Sequence, residues 1–154
     1  MNPLSLDDAV LSEIRAYCAR GDKLVESKQY EEAFLCYRSA LNLVPSPVED
    51  WETTTWILAA IGDLYFSAGR IEKSLTAFED AVRCPGGLGN PFIHLRIGQC
   101  HLELGHEEVA SDELMRAFMT GGNEAFKDQD PKYLRHIQKH IEPQSGKNTP
   151  AGQP

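Results

Sequence analysis

Five histidines, four cysteines and an excess of carboxylates are the groups in this chain with chemistry to offer, and their spacing decides what it is. His136 and His140 stand four apart, which on a helix sets two imidazoles on one face, the beginning of a metal site. No cysteine or acid at ligand spacing completes it. His94, Cys100 and His101 raise the question of a thiol nucleophile with a histidine base. Consecutive residues of one helix point in different directions, and no third group stands where it would orient the imidazole. Gly86-Gly87-Leu88-Gly89 leads into a helix start, a place where amides can cradle phosphate. It lacks the preceding strand and the lysine of a P-loop. The pairs Glu31-Glu32, Glu107-Glu108 and Asp112-Glu113 read as solvated helix faces. No catalytic residue, no metal and no cofactor is expected.

The charge balance narrows the partners. A net charge of −8 disfavours nucleic acid and anionic membrane. No run reaches the ~20 apolar residues of a membrane span, and the start, Met1 to Asp8, has neither the cationic nor the apolar part of a signal peptide. A cytoplasmic protein is expected. Cys18, Cys36, Cys84 and Cys100 show no CxxC spacing, and reduced structural thiols are expected.

The elements that must position any site are helices. Ser5-Leu6-Asp7-Asp8 reads as a helix start with Ser5 as cap, followed by Val10, Leu11, Ile14, Tyr17, Cys18, Leu24 and Val25 at helical period. Ser27-Lys28-Gln29 is a turn, and a second helix from Tyr30 stops at Pro45. Ser46-Pro47-Val48-Glu49 predicts the start of a third, lengthened helix reaching about Ala68, with Trp51 carried beyond the repeat body and Gly69 ending it. Its partner covers Ile71 to Val82. After the glycine connector, Asn90-Pro91 starts a helix from Phe92 to Leu104, whose partner runs from Glu107 to Met119. Asp130-Pro131 starts one more, with Leu134, Ile137 and Ile141 on one stripe.

Within these helices a pattern recurs. From Gly21, offsets of 9, 12, 16, 19 and 24 give Tyr30, Ala33, Tyr37, Ala40 and Pro45. From Gly62 they give Ile71, Ser74, Phe78, Ala81 and Gly86, and from Gly98, Glu107, Ala110, Leu114, Ala117 and Gly122. This spacing resembles the tetratricopeptide repeat, a helix–turn–helix unit of about 34 residues. The departures are Arg20, His94 and Glu107, where the motif prefers leucine, a tryptophan-like residue and a large residue. The resemblance implies an all-α, right-handed solenoid of about three helix pairs (14–47, 55–88 and 91–124) with a capping helix at about 130–142. Residues 1–143 form one domain in this reading, and 144–154 an unstructured tail.

In that family the first helix of each pair lines a concave groove. Carried over, the lining is Arg15, Cys18, Asp22 and Val25, then Trp56, Ala59, Asp63 and Phe66, then Phe92, Leu95, Gln99 and Leu102, bordered by Glu26 and Glu103. Aromatic anchors beside carboxylates suit a partner segment with apolar and basic side chains. The carboxylate-reading mode of chaperone-binding members is not expected, because Cys18 and Asp22 replace its lysine and asparagine, and only Arg96 fits it.

Longer strings, among them Asp50-Trp51-Glu52 with Trp56-Ile57, Gly89 to Arg96, and Asp130 to Leu134, are similar to small stand-alone bacterial tetratricopeptide proteins, often encoded beside toxins with Rhs-type repeats. That likeness implies an immunity-type protein that binds and neutralises a basic toxin domain. The alternative is a secretion chaperone or assembly adaptor holding an extended client segment.

Overall fold

Helices in antiparallel pairs follow one another through residues 5–148, the part of the chain described by a computed structural model. The pairs are α1 (Asp8–Glu26) with α2 (Tyr30–Asn42), α3 (Glu52–Ser67) with α4 (Ile71–Val82), and α5 (Pro91–Glu103) with α6 (Glu107–Ala125). A last helix, α7 (Pro131–Asn148), lies against the third pair, and no strand occurs among the described residues. Each helix packs chiefly on its pair partner, and successive pairs meet through α2 with α3 and α4 with α5. Each unit therefore touches mainly its neighbours, as in a solenoid.

Three glycines set the approach within each pair. A Cβ built on Gly21 would lie 2.7 Å from the Tyr37 ring, one on Gly62 2.5 Å from the Phe78 ring, and one on Gly98 2.7 Å from Leu114. Each glycine thus receives the large residue sixteen positions further on. The small residues between them, Ala33, Ser74 and Ala110, are fully buried, and so are Ala40, Ala81 and Ala117. Ser74 fits where its counterparts are alanine because its hydroxyl donates to the Gly62 carbonyl at 2.8 Å, which satisfies a buried polar group.

Two helix starts differ from the sequence expectation. Asp7, rather than Ser5, caps α1, its carboxylate accepting from the Ala9 N–H at 2.8 Å. An acid there meets both the open amides and the positive end of the helix dipole. The lengthened third helix is not formed. Val48–Asp50 is a single 3-10 turn, Trp51 is extended, and α3 begins at Glu52. Side chains closing on nearby backbone explain the break: the Thr54 hydroxyl donates to the Val48 carbonyl at 2.6 Å and the Trp51 indole N–H to Pro45 at 2.9 Å. The seven residues in excess of one repeat fold back, and Trp51 packs on the first core instead of standing beyond it.

Gly122, at φ +63°, kinks the end of α6 and turns the chain toward α7. Tyr133 and Ile137 of α7 are buried on Leu95, Leu114, Ala117 and Phe126, with Leu134 and Ile141 partly covered. This closes the apolar end that a last repeat would otherwise expose. α7 continues to Asn148, past the expected boundary near 143, and residues 149–154 of the expected tail lie outside the described residues.

Candidate interaction groove

The first helices α1, α3 and α5 present Asp22, Asp63 and Gln99 in turn, each the residue after its repeat's glycine. Asp22 is exposed and accepts a 2.6 Å hydrogen bond from the Tyr37 hydroxyl. Burial, then this bond to a carboxylate, pushes the Tyr37 phenol far above its ordinary range. The Asp63 carboxyl is held above the usual value of 3.8, chiefly by desolvation, with Asp22 adding to the effect and Arg96 opposing it.

Arg96 is the hub of the groove. Its Nε donates to Asp63 Oδ1 at 2.7 Å, and its Nη1 donates to Gln99 Oε1 at 2.7 Å and Gln129 Oε1 at 2.9 Å. The guanidinium lies 5.0 Å from the ring centres of both Phe66 and Phe92, a cation held between two aromatic faces. Gln99 Nε2 donates to the same Gln129 oxygen at 2.8 Å. A planar fork with several donors is what allows one side chain to hold three elements.

The sequence-predicted lining divides into three groups. Arg15, Asp22 and Glu26 of α1 are exposed, and Trp56 and Phe92 each keep 38% of their surface open. Asp63, Phe66 and Arg96 are half-buried and already engaged. Gln99 and Glu103 correct the expectation. Gln99 is fully buried and bonded within the chain. Glu103 accepts from the Tyr133 hydroxyl at 2.7 Å and the Lys132 ammonium at 2.8 Å, so it ties α7 down. The Lys132 bond first, then that from Tyr133, holds the Glu103 carboxyl below its usual value. Leu95, also read as lining, is core. Gln129, Lys132 and Tyr133 were missed because the connector and cap fall outside the repeat pattern.

The residues singled out for chemistry have structural tasks. His94 Nε2 accepts from the Gly89 N–H at 2.9 Å, leaving Nδ1 to donate to Glu113 at 3.0 Å, so this buried ring pins the glycine connector to α6. Asn90 caps α5 through the Phe92 and Ile93 N–H groups. Cys100 is buried beside the Ser74 hydroxyl, and burial pushes its thiol up. His101 faces His106, Nδ1 to Nδ1 at 3.1 Å, and burial followed by that neighbour lowers its pKa. His136 Nε2 meets the Ser111 hydroxyl at 2.9 Å, joining α7 to α6. Among the described residues no three acids, thiols or imidazoles gather as metal ligands, and no helix is long and apolar enough to cross a membrane.

The family model of the tetratricopeptide repeat matches residues 14–47 and 57–83. Mouse (Mus musculus) DnaJ homolog subfamily C member 7 is 23% identical over 134 residues, 87% of this chain, and the chain spans about a quarter of that relative's length. Among solved structures, the Yersinia enterocolitica type III secretion chaperone SycD with a peptide of the translocator YopD aligns at TM-score 0.66 and 14% identity, covering 93% of this chain and 99% of SycD. The first repeat domain of Spaghetti (RPAP3), bound to an HSP90 peptide, aligns at 0.65 and 18% identity over 85% of this chain and 94% of its own. The Sgt2 repeat domain from Aspergillus fumigatus aligns at 0.63 and 17% identity over 92% and 85%. Residues 14–47 and 57–83 therefore match the tetratricopeptide repeat, and the described residues stack as an all-α solenoid of that kind closed by a C-terminal helix.

Proposed function

We propose that the protein is a non-enzymatic binding module that holds an extended segment of a protein partner in the groove of α1, α3 and α5. The observation that carries this reading is the pair of large aromatic residues left open on the first helices, Trp56 and Phe92, on a face whose α1 part exposes the carboxylates of Asp22 and Glu26. Aromatic surface in a groove is a strong anchor for a partner, and unpaired acids beside it select Lys or Arg on the incoming segment. The solved relatives that hold peptides, SycD with its YopD peptide and Spaghetti with its HSP90 peptide, support a segment rather than a small molecule as the ligand. A chaperone or adaptor for an extended client is the function this geometry supports best.

Neutralisation of a basic toxin domain is a second reading, favoured by the net charge of −8, which steers a basic partner at any of its faces. The two differ in what competes. Extended peptides selected from a random library against the purified protein are expected to pair aromatic or aliphatic residues with Lys or Arg. Trp56→Ala, Phe92→Ala and Asp22→Lys are each expected to weaken the selected peptides about tenfold or more. Peptides lacking basic residues, or affinities unchanged by all three substitutions, would sink the groove reading. Binding of a folded basic domain with no competition from such peptides would favour neutralisation.

A further inference from the structure

The groove occupies the first helices, and the second helices leave another opening. Between α2 and the start of α4 the back of α3 is uncovered, forming a cleft of about 810 Å³. Its floor is Leu64 and Tyr65 of α3 with Phe34 of α2, the Phe34 and Tyr65 rings 6.0 Å apart. Leu35 of α2 stands at the rim, half exposed. Lys28, Arg70 and Lys73 also line the cleft, and Lys73 Nζ lies 5.7 Å from the centre of the Tyr65 ring. None of these three cations makes an ion pair among the described residues, whereas Arg83, Arg116, Lys127 and Lys132 each do. Glu31 and Glu32 share the cleft, also without ion pairs among the described residues, but they stand in the first turn of α2, where the helix dipole favours their charge, and the three cations leave the lining net positive. An apolar floor ringed by unmatched cations is the complement of a ligand that is apolar and anionic.

We infer that this cleft docks a segment of a protein partner that carries a leucine or aromatic side chain flanked by carboxylates. The apolar side chain covers Leu35 and the Phe34–Tyr65 pair, and the flanking carboxylates reach Lys28, Arg70 and Lys73. The inference is independent of the groove, which selects the opposite charge and is lined by other residues, although α3 contributes to both. One protein could thus hold a basic segment on one face and an acidic one on the other.

The test uses two synthetic peptides, one with a phenylalanine between two pairs of aspartates and one with asparagines in their place, titrated into the full chain by calorimetry. The aspartate peptide is expected to bind, and the asparagine peptide at least tenfold more weakly. The pair Arg70→Glu and Lys73→Glu is expected to weaken the aspartate peptide at least tenfold while the circular dichroism stays unchanged. If that pair disturbs folding, Leu35→Ser, at an exposed rim position, is expected to weaken binding severalfold. Trp56→Ala with Phe92→Ala leaves this affinity unchanged. No binding, equal affinity for the two peptides, or loss caused by the groove pair instead of the cleft variants would overturn the inference.

Discussion

Asp22 and Gln99 hold the same place in the first and third repeats, each just after the glycine of its first helix, yet one faces solvent and the other is fully buried. Asp63, between them, is intermediate, tied by Arg96 while still touching water. The gradient has one cause. At the C-terminal end the connector and α7 close over the groove, where Gln129 takes the donors of Arg96 and Gln99 and Lys132 and Tyr133 take Glu103. At the N-terminal end nothing among the described residues covers α1 in that way. Equivalent positions in a repeat are thus not equivalent in use. Those beside the cap hold the solenoid together, and those away from it stay exposed.

The largest expected effect falls on the closed half. Ile137→Ala removes a fully buried side chain from the contact of α7 with the third pair, and a cost of about 3 kcal/mol is expected from lost burial and the cavity left behind. Denaturant unfolding checks it. A cost below about 1 kcal/mol would mean that α7 is loosely attached and the closure dispensable. Arg96→Leu comes next. It leaves Asp63 and Gln99 without their donor and Gln129 with one donor in place of two, and about 2 kcal/mol is expected, less than for a fully buried pair because Asp63 keeps contact with water. Asp22→Asn at the open end keeps the acceptor for Tyr37, so its stability is expected within about 0.5 kcal/mol of the parent. Equal losses at the two ends would erase the contrast.

Acid titration separates two of the groove's carboxylates by sign. The Glu103 carboxyl is held below its ordinary value of 4.5, so its ionised form stabilises the fold above that pH, and this is lost as pH falls through the folded value. Asp63 is raised above 3.8, so its contribution runs the other way, present below that pH and lost as pH rises. Glu103→Gln is expected to cost about 1 kcal/mol near neutrality, given its partly exposed partners, and progressively less on acidification. A constant difference across the acid range would show that Lys132 and Tyr133 do not read the charge.

Much of the architecture was legible in the sequence because the physics behind it is local and repeated. Gly21 with Tyr37, Gly62 with Phe78, and Gly98 with Leu114 recur at one offset, and the packing requires that offset. The start of α3 was not legible. Its residues carry good helix-start signals, and the outcome turned on two side chains, Thr54 and Trp51, closing on backbone six residues earlier. The exposure of the expected lining was legible as far as one repeat determines its own surface, as at Trp56, Phe92 and Asp22, whose part in binding stays a proposal. The burial of Gln99 and the engagement of the exposed Glu103 were not legible, because both are decided by residues about thirty positions away in a segment with no repeat signature.

The three turns inside the pairs carry the same comparison to its smallest effect. Gly69 and Gly105 take φ of +78° and +85°, and Lys28, at the matching place in the first pair, takes +62°. Each next residue, Gln29, Arg70 and His106, donates its N–H at 2.8 Å to the carbonyl five residues back, so the three turns are one structure with a lysine where the others have glycine. A lysine there pays a left-handed cost that glycine avoids. Lys28→Gly is therefore expected to stabilise the fold by about 0.5–1 kcal/mol, the opposite sign to a typical glycine substitution, because relief of strain outweighs the added freedom of the unfolded chain. The same substitution removes a cation from the α2–α4 cleft, so affinity for the aspartate peptide should fall severalfold as stability rises. Stability that falls instead would show that the backbone strain at Lys28 is smaller than the entropy glycine adds, and a residue at φ +62° would then be an ordinary member of this turn.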